Sequence, residues 1–190
     1  MTYYLVIINI VGFILFAVNT WLYTNTAEKQ VDTALTITSL LGGSVGILLS
    51  ILIFDRKAQK GNMMSRVFIA CVFVVQIVLF LIIKGYVAEN LTFAFWSFFD
   101  KYKLLLVYLG IINFVTFVIF AIDKFAAIER RSRVRIVTLL WLAFIGGSIG
   151  GLLSMYIFRH KTNKDYFTVG IPLIIIMQIV VLFYLMNVQF

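Results

Sequence analysis

A chain of 190 residues would suit one or two soluble domains, but 63% apolar residues, a single proline and a mean hydropathy of +1.05 exclude a water-soluble core. The 16 Lys and Arg against 8 Asp and Glu leave a formal charge of +8, and the basic residues fall in short connections between hydrophobic runs. They point to positive-inside topology and anionic lipid headgroups as partners, and not to nucleic acid. One cysteine, Cys71, and one histidine, His160, leave no intrachain disulfide, no cysteine metal cluster and no His-based metal site to be built.

Six apolar runs near the length that crosses a ~30 Å hydrocarbon layer cover residues 3–22, 34–54, 67–83, 104–122, 136–158 and 167–186. They predict an all-α integral membrane protein of six hydrophobic helices; barrel strands would read as alternating segments of ~10 residues, and none do. The first run lacks a basic n-region and a small-x-small cleavage site, so it reads as a retained helix, and it carries Asn9. Gly42, Gly43, Ser44, Val45 and Gly46 lie in the second run, and Cys71 and Gln76 in the third. Residues 84–103 hold only a nine-residue apolar stretch, Leu91 to Phe99, too short to cross. Its Phe and Trp content predicts a helix lying at the membrane interface. The sequon Asn90, Leu91, Thr92 within it reads as accidental. Asn113 lies in the fourth run, which ends in Asp123 and Lys124 and is followed by Arg130, Arg131, Arg133 and Arg135. The fifth contains Gly146, Gly147, Ser148, Ile149, Gly150 and Gly151, with FRHKT, Phe158 to Thr162, after it, and the sixth carries Gln178.

Sliding the sequence against itself by 104 residues aligns 5–57 with 109–161 without a gap, and 19 of the 53 pairs are identical. Polar positions match as well as apolar ones: Asn9 with Asn113, Ser44 with Ser148, Ser50 with Ser154 and, after a two-residue slip, Gln76 with Gln178. This predicts a tandem duplication of a three-helix unit, with a first repeat at 1–84, an interfacial linker at 85–103 and a second repeat at 104–190. Two topologies stay open. If all six runs cross, the repeats are inverted and the Lys and Arg residues divide nine to seven between the two sides. If the glycine-rich middle run of each repeat is a re-entrant hairpin, the repeats are parallel and the division is 13 to 3. Run lengths of 21 and 23 residues favour full spans, and a glycine break leaves backbone groups unsatisfied in lipid unless protein or water covers them. Charge bias favours the hairpin.

Gly42 with Gly46, and Gly146 with Gly150, are small-xxx-small pairs that let helices pack closely. Their sharper reading is a discontinuous helix lining a site near the membrane midplane. Asn9, Asn113, Gln76 and Gln178 are amides in apolar runs, each of which needs a hydrogen-bond partner. They bond between helices or, with Ser44 and Ser148, line a polar midplane site. Asp123, Lys124, Arg133, Arg159, His160 and Lys161 are either solvated anchors or a site for a phosphate or other anionic headgroup. Arg would supply bidentate bonds there and His a proton near neutrality. Such convergence needs both loops on one side, which the hairpin topology supplies. The matching first-repeat positions read Asn19, Thr20, Asp55, Arg56 and Lys57, so a charged site is expected in the second repeat alone. Neither paired carboxylates, a serine triad nor a Gly-rich phosphate loop can be assembled, which leaves His160, Asp123 and Glu129 for any enzymatic chemistry and implies no cofactor.

At these residues the second repeat resembles the YsdA-like family of small bacterial membrane proteins, a domain of unknown function. Ile112-Asn113, Asp123-Lys124 with Ala127, Arg133, Gly146 to Gly150, and Phe158 to Thr162 with Phe167 carry the resemblance, over roughly residues 109–186. The chain departs where the family has Pro-Glu after the arginine, since Arg135 and Ile136 stand there. The resemblance implies a fused pair of three-helix units with a degenerate first copy, in a bacterial cytoplasmic membrane, and no established activity. The leading expectation is a small transporter or a lipid- or headgroup-binding protein. A membrane enzyme acting on a lipid or isoprenoid headgroup, and a helix-packing subunit of a membrane complex, stay open beside it, as does homo-oligomerisation.

Overall fold

The computed structural model describes residues 2–25, 32–55, 62–87, 91 and 93–188. Their regular structure is helical throughout: α1 (Thr2–Asn25), α2 (Asp32–Thr38), α3 (Ser44–Phe54), α4 (Met63–Ile83), α5 (Phe95–Lys101), α6 (Lys103–Ile128), α7 (Ile136–Leu142), α8 (Ser148–Ile157), α9 (Asp165–Thr168) and α10 (Gly170–Asn187). Lys29, Arg56, Lys57, Asn90 and Thr92 lie outside the described residues. Six helical stretches, counting α2–α3, α7–α8 and α9–α10 as one each, are long and apolar enough to cross a membrane. The chain divides into two compact units, Met1–Leu79 and Phe80–Phe190.

Helix formation follows from the long apolar runs and from where the breakers fall. The one proline, Pro172, sits in the first turn of α10, where its missing N–H has no intrahelical partner to lose. The chain breaks instead at glycine. Five-residue π-type turns, Ser39–Gly43 and Ala143–Gly147, separate α2 from α3 and α7 from α8. Within them Gly42 holds φ 107°, ψ 3° and Gly146 φ 129°, ψ −9°, a region that a Cβ disfavours. Helix α5 forms inside the stretch between the two predicted repeats, with Phe99 buried and Trp96 86% exposed.

In the second unit these breaks reverse the chain. A straight helix over Ile136–Ile157 would separate its ends by about 33 Å. Yet Asp123, near the end of α6, accepts a hydrogen bond from Val134 N at 2.9 Å and touches His160 and Lys161 at 2.7 Å each. Both ends of α7–α8 therefore meet at one carboxylate. Helix α8 runs parallel to α6, with Tyr108 beside Ile145, Asn113 beside Gly150 and Phe117 beside Ser154, and α7 descends to the turn that joins them. Phe120, Leu139, Met155, Phe167, Ile171 and Ile174 are buried to within about 1% of completely in this unit. In the first unit, Phe16, Leu35, Ile47, Ile51 and Ile69 form the core, which draws α1, α2, α3 and α4 together. Edge-to-face or tilted rings at 5.8 Å recur in both units, as Phe13–Phe54 and Phe117–Phe158.

Candidate functional site

Two regions of the second unit collect the polar residues that stand out in the sequence. The first is the turn between α7 and α8. Breaking a helix leaves carbonyls at one end and amides at the other without intrahelical partners, a serious cost in apolar surroundings. Asn113 Nδ2 donates to Gly146 O at 2.8 Å while its Oδ1 accepts from Gly150 N at 2.8 Å. Gln178 Nε2 donates to Ala143 O and Phe144 O, and its Oε1 accepts from the Ser148 hydroxyl. One amide from α6 and one from α10 thus cap both broken ends. In the first unit Asn9 bonds Gly42 O and Gly46 N, and Gln76 bonds Ser39 O, Leu40 O and the Ser44 hydroxyl. The six midplane residues of the sequence reading are thus brought together in two triads, each directed at its own turn.

The glycines divide into two kinds. Gly42 and Gly146 supply the left-handed turn conformation. A Cβ on Gly46 or Gly150 would overlap the main-chain carbonyl of Asn9 or Asn113, so these two let the backbones of paired helices touch. Tyr4 and Tyr108, whose hydroxyls donate to Leu41 O and Ile145 O, go unremarked in the sequence reading. Their signal was present: they are identical residues at the same 104-residue spacing, one position before the aligned segment.

The second region is the open end of the hairpin. Asp123 has no solvent exposure; Oδ1 takes the Val134 N–H and Oδ2 takes both His160 Nε2 and Lys161 Nζ. Lys161 Nζ also lies 4.9 Å from the centre of the Phe167 ring, which packs edge-on against Phe120. Burial holds the Lys161 ammonium below the usual lysine range; the Asp123 carboxylate opposes that shift and the Arg133 charge adds to it. With a neutral imidazole, the Nε2–H donates to Asp123 and Nδ1 is the basic atom. His160 and Lys161 side chains are each 13% exposed, so the pair is reachable from outside.

Of the six charged residues singled out in sequence, Asp123, His160 and Lys161 are in direct contact, and Arg133 acts on Lys161 through its charge. Lys124 is half-buried and Arg159 exposed, and neither donates to Asp123. Arg130, Arg131, Arg133, Arg135, Arg159 and Lys164 make an exposed basic rim, on which Arg131 is paired with Glu129 at 2.8 Å. The Val134 amide is a partner that the sequence does not mark, and Phe167 stands in the family pattern without any sign there of its contact with Lys161.

Arg130, Arg159 and Lys161 are also the only non-glycine residues with positive φ among the described residues, at 57°, 44° and 63°. Each such conformation costs about 1–2 kcal/mol. Lys161 has a visible return for it in the Asp123 contact. The first unit has Asn19 at the position of Asp123 and places its carboxylate elsewhere: Asp55, almost fully buried, pairs with Arg66 Nη1 at 3.0 Å and with Asn62 Nδ2 at 3.4 Å. Neither Asn62 nor Arg66 was expected to meet Asp55. Among the described residues no group of three His, Cys, Asp or Glu side chains is placed to hold a metal ion.

The segment 113–167, from the amide that caps the turn to the ring beneath Lys161, matches the model of a protein of unknown function, DUF1294. The uncharacterized protein YsdA of Bacillus subtilis (strain 168) is similar, 33% identical over 75 residues that make up 40% of this chain and 84% of YsdA. No solved structure matches the chain.

Proposed function

This chain belongs to the YsdA-like family of proteins of unknown function (DUF1294), and on that footing we propose that it is a multi-pass membrane protein that binds anionic headgroups at the mouth of a re-entrant hairpin. The observation that carries this reading is the Asp123 carboxylate, whose three donors come from both connections that flank the hairpin. It closes the hairpin and puts the basic residues of both connections on one side. Asp123 neutralises Lys161, while the rim of Arg130, Arg133, Arg135, Arg159 and Lys164 faces outward, suited to phosphate oxygens.

Charge asymmetry supports the same arrangement. With re-entrant hairpins at 32–54 and 136–157, 13 of the 16 Lys and Arg residues lie on one side, and Lys84, Lys101 and Lys103 are the other three. That is the bias of a cytoplasmic face. The capped turns, tyrosine bonds and phenylalanine pairs that recur at the 104-residue spacing support a tandem duplication of a unit at 1–84 and 104–190, joined by an interfacial linker at 85–103. Transport is the weaker reading, because Asn9, Asn113, Gln76 and Gln178 are bonded to their own turns and not to a path.

Cysteines placed at Arg131 and Lys164, both exposed, in a Cys71→Ser background test the topology. Both should react with an impermeant maleimide from the same side of intact cells or vesicles. Reaction from opposite sides would sink the hairpin and with it the shared site. For binding, the protein in uncharged detergent should gain about 1–3 kcal/mol of stability on adding phosphatidylglycerol, and nothing comparable with phosphatidylcholine. Equal stabilisation by the two lipids would count against headgroup recognition.

A further inference from the structure

We propose that Arg159, seconded by Arg130, is the residue that reads the phosphate group of the bound anion, and that the fold accepts a strained backbone at both positions in order to place these guanidinium groups. The inference rests on the headgroup-binding reading and specifies its chemistry.

Three helices end on a residue in the left-handed conformation. At the end of α4, Gly85 N bonds Ile82 O and Tyr86 N bonds Leu81 O, with Gly85 at φ 83°. At the end of α8, Arg159 N bonds Tyr156 O and His160 N bonds Met155 O, with Arg159 at φ 44°. At the end of α6, Arg131 N bonds Ala126 O, with Arg130 at φ 57°. The paired bonds of α4 and α8 are a Schellman closure, of which α6 has the outer bond; the left-handed residue there is glycine by preference because a Cβ is strained. Helix α4 follows that preference. The two helices that end at the charged site replace glycine with arginine.

Two ordinary reasons for such an arginine fail here. A cation exposed at a helix end gains about 0.3–1 kcal/mol from the helix dipole, less than the about 1–2 kcal/mol that the left-handed conformation costs. An internal ion pair would also justify it, yet Asp123 takes its donors from Val134, His160 and Lys161. Arg159 and Arg130 are instead exposed, at the ends of the two helices that Asp123 ties together. Their five-donor forks match a phosphate or phosphodiester bidentately, which a lysine cannot reproduce. Strain kept at a position where glycine would serve marks a functional demand.

Binding by the full chain in uncharged detergent would be measured for dihexanoyl phosphatidylglycerol, dihexanoyl phosphatidic acid, dihexanoyl phosphatidylcholine and inorganic phosphate, with thermal midpoints taken in parallel. Arg159→Gly should weaken binding of the anionic probes at least tenfold while leaving the midpoint equal to or above that of the wild type. Arg159→Lys should keep less than a third of the wild-type affinity, and Arg130→Gly should follow Arg159→Gly with a smaller loss. Tight binding of inorganic phosphate would identify a free anion as the ligand, and tight binding of the lipids alone a headgroup; the role of Arg159 stands in either case. Arg159→Gly that binds within twofold of wild type, or that melts well below it, would overturn the proposal, as would Arg159→Lys that binds like wild type. Wild-type protein that binds none of the anionic probes would overturn the headgroup reading itself, an outcome distinct from failure of the variants alone.

Discussion

Replacing Asp123 by Asn lowers the stability of the protein by about 3–5 kcal/mol, a fall of about 6–20 °C in the thermal midpoint. The carboxylate is fully buried and joins three donors from two connections. An asparagine keeps the Val134 bond but leaves Lys161, 13% exposed, with a charge and no counter-ion. Removing one member of such a pair costs far more than the pair itself is worth, because the survivor stays desolvated. Two further variants locate the cost. Lys161→Met should destabilise less than Asp123→Asn, since the carboxylate it leaves behind keeps the Val134 and His160 donors. The double variant Asp123→Asn, Lys161→Met should be more stable than Asp123→Asn alone. Thermal unfolding in mild detergent, followed by near-ultraviolet dichroism or by retention of the monodisperse peak, gives all three. A midpoint for Asp123→Asn within about 2 °C of wild type would mean that this carboxylate does not close the hairpin.

Gly150→Ala should destabilise by about 3 kcal/mol or more, opposite in sign to the usual effect of alanine in a helix. Ordinarily the change gains up to about 1 kcal/mol. Here the new methyl would overlap the Asn113 carbonyl, which is main chain and cannot swing aside. Overpacking of this kind costs about 1–3 kcal/mol. Parting α6 from α8 also breaks the Asn113 bonds to Gly146 O and Gly150 N, and each buried group left unpaired adds about 1–3 kcal/mol. The chain contains its own control. Gly110 lies in α6 with no atom within 4 Å of where a Cβ would stand, so Gly110→Ala should be neutral or stabilising. Equal melting of the Gly150→Ala and Gly110→Ala proteins would remove the close backbone approach from the account.

Several boundaries moved between sequence and structure for identifiable reasons. Hydropathy ends the fourth run at residue 122, but α6 continues to Ile128, because Asp123 is neutralised by Lys161 within the fold and does not stop the helix. The pairing of Asn9 with Asn113 at a spacing of 104, and of Gln76 with Gln178 after a two-residue slip, was legible in the sequence. Their targets were not: carbonyls such as those of Ala143 and Phe144 become acceptors only once the helix above them has ended. The same holds for the glycines. Four looked alike in sequence, yet Gly42 and Gly146 set backbone dihedrals, whereas Gly46 and Gly150 set a distance between helices.

Helical content, the six hydrophobic stretches, the excess of basic residues and the motifs of the second half were determined by the sequence itself, since they depend on composition and on near-neighbour spacing. Whether residues 136–157 run straight or fold back was not. Hydropathy scores each residue alone and has no sign for direction, so a 22-residue span and a hairpin of two short helices look the same. The choice rests on contacts between residues far apart in the chain: Asp123 with Val134 and with His160 and Lys161, and the Asn113 and Gln178 amides with the turn they cap. Those bonds repay the broken backbone and bring the basic residues to one end. They exist only after α6, α8 and α10 have packed, which is why tertiary structure alone assembled the site.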